Sequence, residues 1–455
     1  MKTTGARAAA FLVLLVAGTA AGGIIHVPDD YPSIKTAVAA ASESDTVLVA
    51  AGIYSGPDNR AITIADRHFV LLSEAGPDDT IIDGEGASYA FMLSGIPSTA
   101  VLEGFTVRNC SHTSGGAIHF GNDVNLTIKG CHFRGNAAQE RGGAIYSASG
   151  TSATFLGCVF EQNEADGGGG AVYVAEWGGT EVVFDICEFK DNVGGCGGAI
   201  YCDSLAGMSL VDCTFSGNVA EGLGGAVVCG DFGTAVSARR CWFAGNQAGL
   251  MGGALYAYFG RIYLDDCHLV DNGAGDSGGA VCSFDPMEAY GCTFAHNYAG
   301  SEGGALWLLG DVSGVLIASS TLVGNASPLG GGIRFTGFGY SPQITDVVIA
   351  FSSEGCAVSH ERGAGIQLTC CDLYGNAGGD WTGVIADQLG QNGNISEDPL
   401  FCMETSSLSP WTLQSDSPCA PEHSGGCGLI GAWPVDCAPT PVEPSSWGRI
   451  KALYR

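Results

Sequence analysis

With 455 residues, 72 of them glycine, the chain is long enough for two or three ordinary domains or for one elongated repeat domain, and its glycines lack the third-residue period of collagen. Acidic residues outnumber basic ones 47 to 18, a formal net charge of -29 that disfavours nucleic acid and anionic membranes as partners. After the N-terminus, no stretch approaches the roughly 20 consecutive apolar residues of a membrane span.

Residues 1–22 read as a secretory signal: Lys2 and Arg7 precede the apolar run Ala10 to Ala17, and Gly18, Ala20 and Ala21 offer a cleavage site. The mature protein is therefore expected outside the cell, secreted or held at the cell surface or outer membrane. Residues 23–100 form an expected N-terminal cap and first coils. Within them, residues 24–54 read as a strand, a helix over about Pro32 to Ser42 with Ile34, Val38 and Ala41 on its apolar side, and a strand Val47 to Val49. A helix laid over an open sheet end would keep that end from templating aggregation.

Residues 101–395 carry a repeat. A Gly-Gly-Ala signature starts at Gly115, Gly142, Gly169, Gly197, Gly224, Gly252, Gly278, Gly303 and Gly330, every 25 to 28 residues. Five or six residues before each pair stands Asn109, Asn136, Asn163, Asn192, Asn218, Asn246, Asn272, Asn297 or Asn325. Five residues before most of these stands a cysteine, at Cys131, Cys158, Cys187, Cys213, Cys241, Cys267 and Cys292, and two after it Phe133, Phe160, Phe189, Phe215, Phe243, Leu269 or Phe294. Apolar and mixed residues alternate with period two around these positions, which predicts strands with one buried face. Three short strands per repeat predict one coil of an all-β, single-stranded, right-handed parallel β-helix with an N-terminal capping helix. Stacked coils turn like positions into columns: Asn amides bonding coil to coil, a Phe spine, and Cys packed as a small hydrophobe rather than bridged. The variable AAQER stretch between corner and strand leaves Gln139, Glu140 and Arg141 as the recognition candidates of that coil.

Residues 396–438 break the repeat and read as a C-terminal cap, with Cys402, Cys419, Cys427 and Cys437 free to staple it in any of three pairings. Residues 439–455 are a Pro-rich linker and a basic tail, with Arg449, Lys451 and Arg455 beside Trp447, Ile450 and Tyr454, which reads as a sorting or docking signal or as a frayed end.

The pairs GGAI with FRGN, GGAV with FEQN and GGAI with FKDN resemble the GGA[ILV] and FxxN repeats of polymorphic outer-membrane proteins. The opening HVPDDYPSIKTAV and the closing DPLF, SPC and GLIGA are similar to the ends of exported pectin-lyase-like β-helix proteins. The resemblance implies that fold over roughly residues 24–435 and, since the class holds adhesins, lyases and hydrolases alike, no single activity. The residues after the cap do not read as the many alternating strands of an autotransporter barrel, so an ordinary autotransporter is not expected.

Chemistry is harder to find. Asp265-Asp266-Cys267 is similar to the DDC element of polygalacturonases and Arg449-Ile450-Lys451 to their RIK, but the first falls in an ordinary repeat column and no NTD or GHG element accompanies them. Between residues 70 and 400 there are ten Lys or Arg, and the adjacent pair Arg239-Arg240 has no run of carboxylates beside it. His132 and His268 share a column five coils apart, about 24 Å, too far to share a metal. Calcium would suit the acidic surface, but no ligand spacing supports it, so no cofactor and no metal site are expected. Trp177, Trp242, Tyr256, Tyr298 and Trp307 occupy candidate outward positions suited to a sugar or a protein partner. Asn109, Asn125, Asn325 and Asn394 match glycosylation acceptors, and Asn109 and Asn325 are assigned to the Asn column instead. The expectation is an adhesin-like, non-enzymatic rod binding carbohydrate or another surface protein, with a polysaccharide lyase or glycoside hydrolase as the alternative.

Overall fold

Four strands, not three, make each coil. A computed structural model of the chain describes residues 22–175, 181–203, 206–230, 233–339, 341–361, 365–402 and 409–437. In a representative coil, Val124–Lys129 forms face one, His132–Arg134 face two, Ala137–Arg141 face three and Ile145–Ser147 face four. Stacked in parallel register, these build sheets of 14, 13, 8 and 12 strands, with His132 on Val159, Phe133 on Phe160 and Arg134 on Glu161. Face three comes from the variable stretch between corner and strand, where the sequence predicts no strand. Its composition hides the strand because only Ala138 points inward, while Gln139, Glu140 and Arg141 are exposed.

The interior follows the columns. Phe133, Phe160, Phe189, Phe215 and Phe243 stack with centroids 4.6 to 5.0 Å apart, and Phe294 is buried further along the same face. Cys131, Cys158, Cys187, Cys213, Cys241, Cys267 and Cys292 are buried thiols. Six of them point Sγ at a carbonyl of the preceding coil at 3.3 to 3.8 Å, from Cys131 on Leu102 to Cys267 on Ala238. At Cys213 and Cys241 hydrogen bonds to the neighbouring thiols act in both directions and, with burial, push the thiol up to about 12, and burial pushes Cys131 up as well, so these three stay protonated and unreactive.

The Asn column is a continuous ladder at the corner between faces two and three. Asn136 N–H and Nδ2 both donate to Asn163 Oδ1, at 3.1 and 3.0 Å, and Nδ2 also reaches Val107 O. The pattern repeats through Asn192, Asn218, Asn246, Asn272 and Asn297 to Asn325. Asn109 is a correction. Register places Arg108 opposite Arg134 and Ser111 opposite Ala137, so Cys110 holds the ladder position and gives its N–H to Asn136 Oδ1. Asn109 instead turns outward and bonds Asp83. Replacing Asn218 by Ala strands the Asn192 donors and the Phe189 carbonyl. A loss on the order of 3 kcal/mol is expected by chemical denaturation, against little change for Asn125→Ala on the exposed side of face one.

The Gly pair lets coils approach. Gly224 has φ +62°, and a Cβ on Gly225 would lie 2.0 Å from Gly253 O and 2.7 Å from the Gln247 backbone.

At the N-terminal end the helix runs over Ile34–Ala40, shorter than the sequence suggests, with Ser33 as its N-cap and Ile34, Ala37 and Val38 buried against the first coil. Arg67 donates to Val38 O and Ala41 O, which satisfies the helix C-terminus with a cation.

The C-terminal segment differs from expectation. A turn at Gly383–Gln388, with Ile385 buried, lies over the last coil. Residues 398–402 and 409–437 return along the outside of face two. Phe401, Trp411, Leu413, Cys419 and Ile430 pack on the outward Val270, Ala295, Val323, Val348 and Ala350. Trp433 Nε1 donates to Thr293 Oγ1 at 2.8 Å and Ala432 N to Thr321 Oγ1 at 3.0 Å. The four-cysteine staple is also corrected: Cys402 pairs with Cys437, Cys427 pairs with Cys370 of the solenoid, and Cys419 stays a buried thiol. One disulfide therefore closes the segment and the other ties it to the helix.

Under this segment lies Asp372, fully buried, with Oδ1 accepting from Glu397 N and Oδ2 from Cys419 Sγ. Burial pushes its carboxyl up to about 7, with the Glu397 and Asp398 charges adding to the push. A raised folded pKa favours the protonated, folded state, so this stability is fully present below the unfolded value and is lost as pH rises toward 7. Thermal melts from pH 4 to 8 should show this decline, on the order of 3 kcal/mol, and Asp372→Asn should flatten it.

Candidate functional site

The sequence candidates do not gather into one site. The Phe, Cys and Asn columns point inward as chassis. Asp265 ends a face-one strand and is exposed in register with Tyr290, four residues and about 13 Å from Arg261 on the same strand. Asp266 sits at the following corner at φ +50°. His132 and His268 are outward on face two, and Tyr298 is exposed on face three. Asn394 is buried, and its Oδ1 accepts from Cys371 N at 3.0 Å. Trp177 and the tail lie outside the described residues.

Arg141 lies 4.9 Å over the Tyr173 ring, part of an outward aromatic column on face four that sequence reading missed. His119, Tyr146, Tyr173 and Tyr201 stack at 4.9 to 5.9 Å, and Tyr173 donates to the Asp203 carboxylate. The ring faces are occupied by each other, so this ladder offers edges, not a stacking surface, to a ligand. It gives way to an external cluster of Val228, Tyr256 and Cys282, against which Phe284 and Trp307 pack.

Beyond that cluster, the loops from face four to face one bring chemistry together over adjacent coils. Tyr258 and Phe259 follow Ala257, whose face-four partner is Ser283, so Phe284 and Asp285 are their equivalents one coil on. Asp311 and Phe338 follow in the next two coils, joined by a parallel bridge. Tyr258, Phe259 and Phe338 are 39%, 36% and 70% exposed, large apolar side chains turned to solvent on both flanks of the two carboxylates. Phe259 holds φ +55°, a left-handed conformation unfavourable for a bulky residue, and its ring lies 4.3 Å from Tyr258. Phe284 braces Tyr258 edge-on at 5.1 Å.

The two aspartates are pushed apart. Half-buried Asp285 has its carboxyl raised by desolvation and by the Asp311 charge, although Arg261 opposes this. Exposed Asp311 is lowered because its Oδ1 accepts from Ser313 N at 2.9 Å. Arg261, bonded to Tyr263 OH at 3.3 Å, faces both Asp285 and Glu288. The raised Asp285 favours its protonated form and the lowered Asp311 its charged form, the division of labour that acid–base catalysis needs. Among the described residues no cluster of three His, Cys, Asp or Glu could hold a metal ion.

These residues escaped sequence reading because the loops differ in length and carry no repeat signature. The one available signal is spacing: Phe259, Asp285 and Asp311 are 26 residues apart, one coil each.

A family model described as a right-handed beta helix region matches residues 116–285. The fold is thus an all-β, right-handed parallel β-helix. No curated protein matches the chain. Among solved structures, the catalytic domain of a GH87 alpha-1,3-glucanase variant in complex with tetrasaccharides has a TM-score of 0.40 and 13% identity, over 78% of this chain. This chain spans 65% of that one. The same variant in complex with nigerose has a TM-score of 0.38 and 10% identity, over 80% of this chain and 70% of that one.

Proposed function

We propose that the protein is an exported carbohydrate-active enzyme of glycoside hydrolase type. A polysaccharide would lie along the loop edge, its sugar rings on Tyr258, Phe259 and Phe338, with the scissile bond between Asp285 and Asp311. Asp285 donates its proton to the glycosidic oxygen as the C–O bond breaks. Asp311 meets the positive charge developing at the anomeric carbon and takes the proton that the adding water gives up, so that one proton leaves Asp285 with the glycosidic oxygen and one arrives on Asp311. The Arg261 charge moderates the rise of Asp285. A net charge of -29 favours a neutral polymer over a uronic acid chain.

The observation that carries this reading is the pair of carboxylates in adjacent coils, pushed in opposite directions beside Arg261. The adhesin-like reading follows from the want of recognisable lyase or hydrolase elements in the sequence, and the electrostatic neighbourhood of Arg261, Asp285 and Asp311 supports the hydrolase alternative instead. Export rests on the signal-like residues 1–22 and on the likeness of the GGA[ILV] and FxxN repeats to polymorphic outer-membrane proteins.

The test is a panel of neutral and acidic polysaccharides assayed for reducing ends and for unsaturated product. Reducing ends without unsaturated product support hydrolysis. Unsaturated product, or no turnover on any polymer, refutes it.

A further inference from the structure

Among the described residues, the C-terminal segment covers the outside of face two from the His268 row onward. One coil earlier stands Trp242, in register between Thr214 and His268 and 41% exposed. Its position is braced from below: the Trp242 and His268 rings lie 4.6 Å apart, and His268 stacks on Trp433 at 5.3 Å and 21°. Trp433 is itself fixed by its hydrogen bond to Thr293 Oγ1. Three rings from two coils and the returning segment thus form one row, and the last ring, Trp242, is the most open to solvent.

The surroundings of that ring are polar. At the corner two residues before Trp242, Arg240 forms a bidentate pair with Asp212, Nε to Oδ1 at 2.7 Å and Nη2 to Oδ2 at 2.5 Å. Thr214 lies beside Trp242 and Glu188 one coil further. An indole backed by His268, with a hydroxyl, a carboxylate and a guanidinium at neighbouring register positions, suits a ligand with an apolar face and a polar rim. A flat apolar protein partner would need neighbouring apolar area that these residues do not supply. The whole width of face one, about 16 Å of strand, separates this row from the Asp285 edge.

We propose that Trp242, backed by His268 and Trp433, is a second glycan-binding platform that takes the C–H face of a neutral sugar ring, with Arg240 and Asp212 meeting its hydroxyls. The proposal rests on the carbohydrate reading above and would hold polymer at a distance from the hydrolytic edge.

The test is retention of the full chain on insoluble α-1,3-glucan, cellulose and chitin for the native protein, Trp242→Ala, Trp242→Tyr and Asp285→Asn. Native protein should be retained on at least one of them. Trp242→Ala should lose roughly tenfold in affinity there, and Trp242→Tyr should keep most of it. Undiminished retention of Trp242→Ala, equal loss in both Trp242 variants, or no retention of native protein overturns the platform. Asp285→Asn should be retained like the native protein. Retention that needs Trp242, together with full turnover in Asp285→Asn, would leave the platform standing and remove the hydrolytic reading.

Discussion

Asp285→Asn is expected to reduce turnover of the preferred polysaccharide by about 100- to 10,000-fold, the range in which a positioned proton donor contributes, with little change in thermal stability. The amide keeps the shape of the carboxyl but has no acidic proton for the leaving oxygen. Asp311→Asn should cost a comparable factor by removing the charge opposite it. The pH profile gives a finer reading. Activity needs Asp311 ionised, so it falls on the acid side below the 3.8 of an ordinary aspartate. It also needs Asp285 protonated, so it falls on the basic side above that value. A bell is therefore expected in the acid range, and Arg261→Gln, which removes the charge opposing the Asp285 rise, should shift the basic limb upward. A profile rising monotonically to neutral pH would contradict the assignment of acid and base.

Gly225→Ala is expected to have the largest effect on the fold. The added methyl would fall 2.0 Å from Gly253 O and meet the Gln247 backbone on its other side. Neither neighbour is a side chain that can swing away. The coils would have to separate, opening the face-three and face-four ladders and breaking Asn218 from Asn246 alongside. Loss of the cooperative unfolding transition, or recovery of the chain only as aggregate, is the expected result. By contrast Gly245, at φ +64° with no atom within 4 Å of its Cβ, carries only a conformational penalty, about 1 kcal/mol for Ala. Circular dichroism melts of the two variants side by side separate close approach from backbone conformation.

The sequence carried the coil because a stacked helix must repeat its interior. Phe133 and Asn136 recur in Phe160 and Asn163 for the same packing and hydrogen-bonding reasons at every turn. It did not carry face three, where one inward alanine per strand gives no alternation to read. Nor did it carry the register slip that moves Asn109 out of the ladder, since that coil has one residue fewer between the ladder position and the Gly pair, five from Cys110 to Gly115 against six from Asn136 to Gly142, while Asn109 keeps the usual spacing. The C-terminal cysteines misled for a different reason: a pairing between Cys427 and Cys370 depends on where the segment folds back, and that is set by Phe401, Trp411 and Ile430 finding the apolar outside of face two. The candidate site was the least legible. Asp285 and Asp311 owe their opposed titrations to burial and to a Ser313 amide, quantities that exist only once the loops are side by side.

The most direct measurement of the central claim is a crystal structure of the Asp285→Asn protein soaked with an oligosaccharide of its preferred polymer. The expected result is a sugar chain along the loop edge, rings against Tyr258, Phe259 and Phe338, and a glycosidic oxygen within hydrogen-bond distance of the residue at 285. An oligosaccharide bound on another face with the loop edge empty would contradict it.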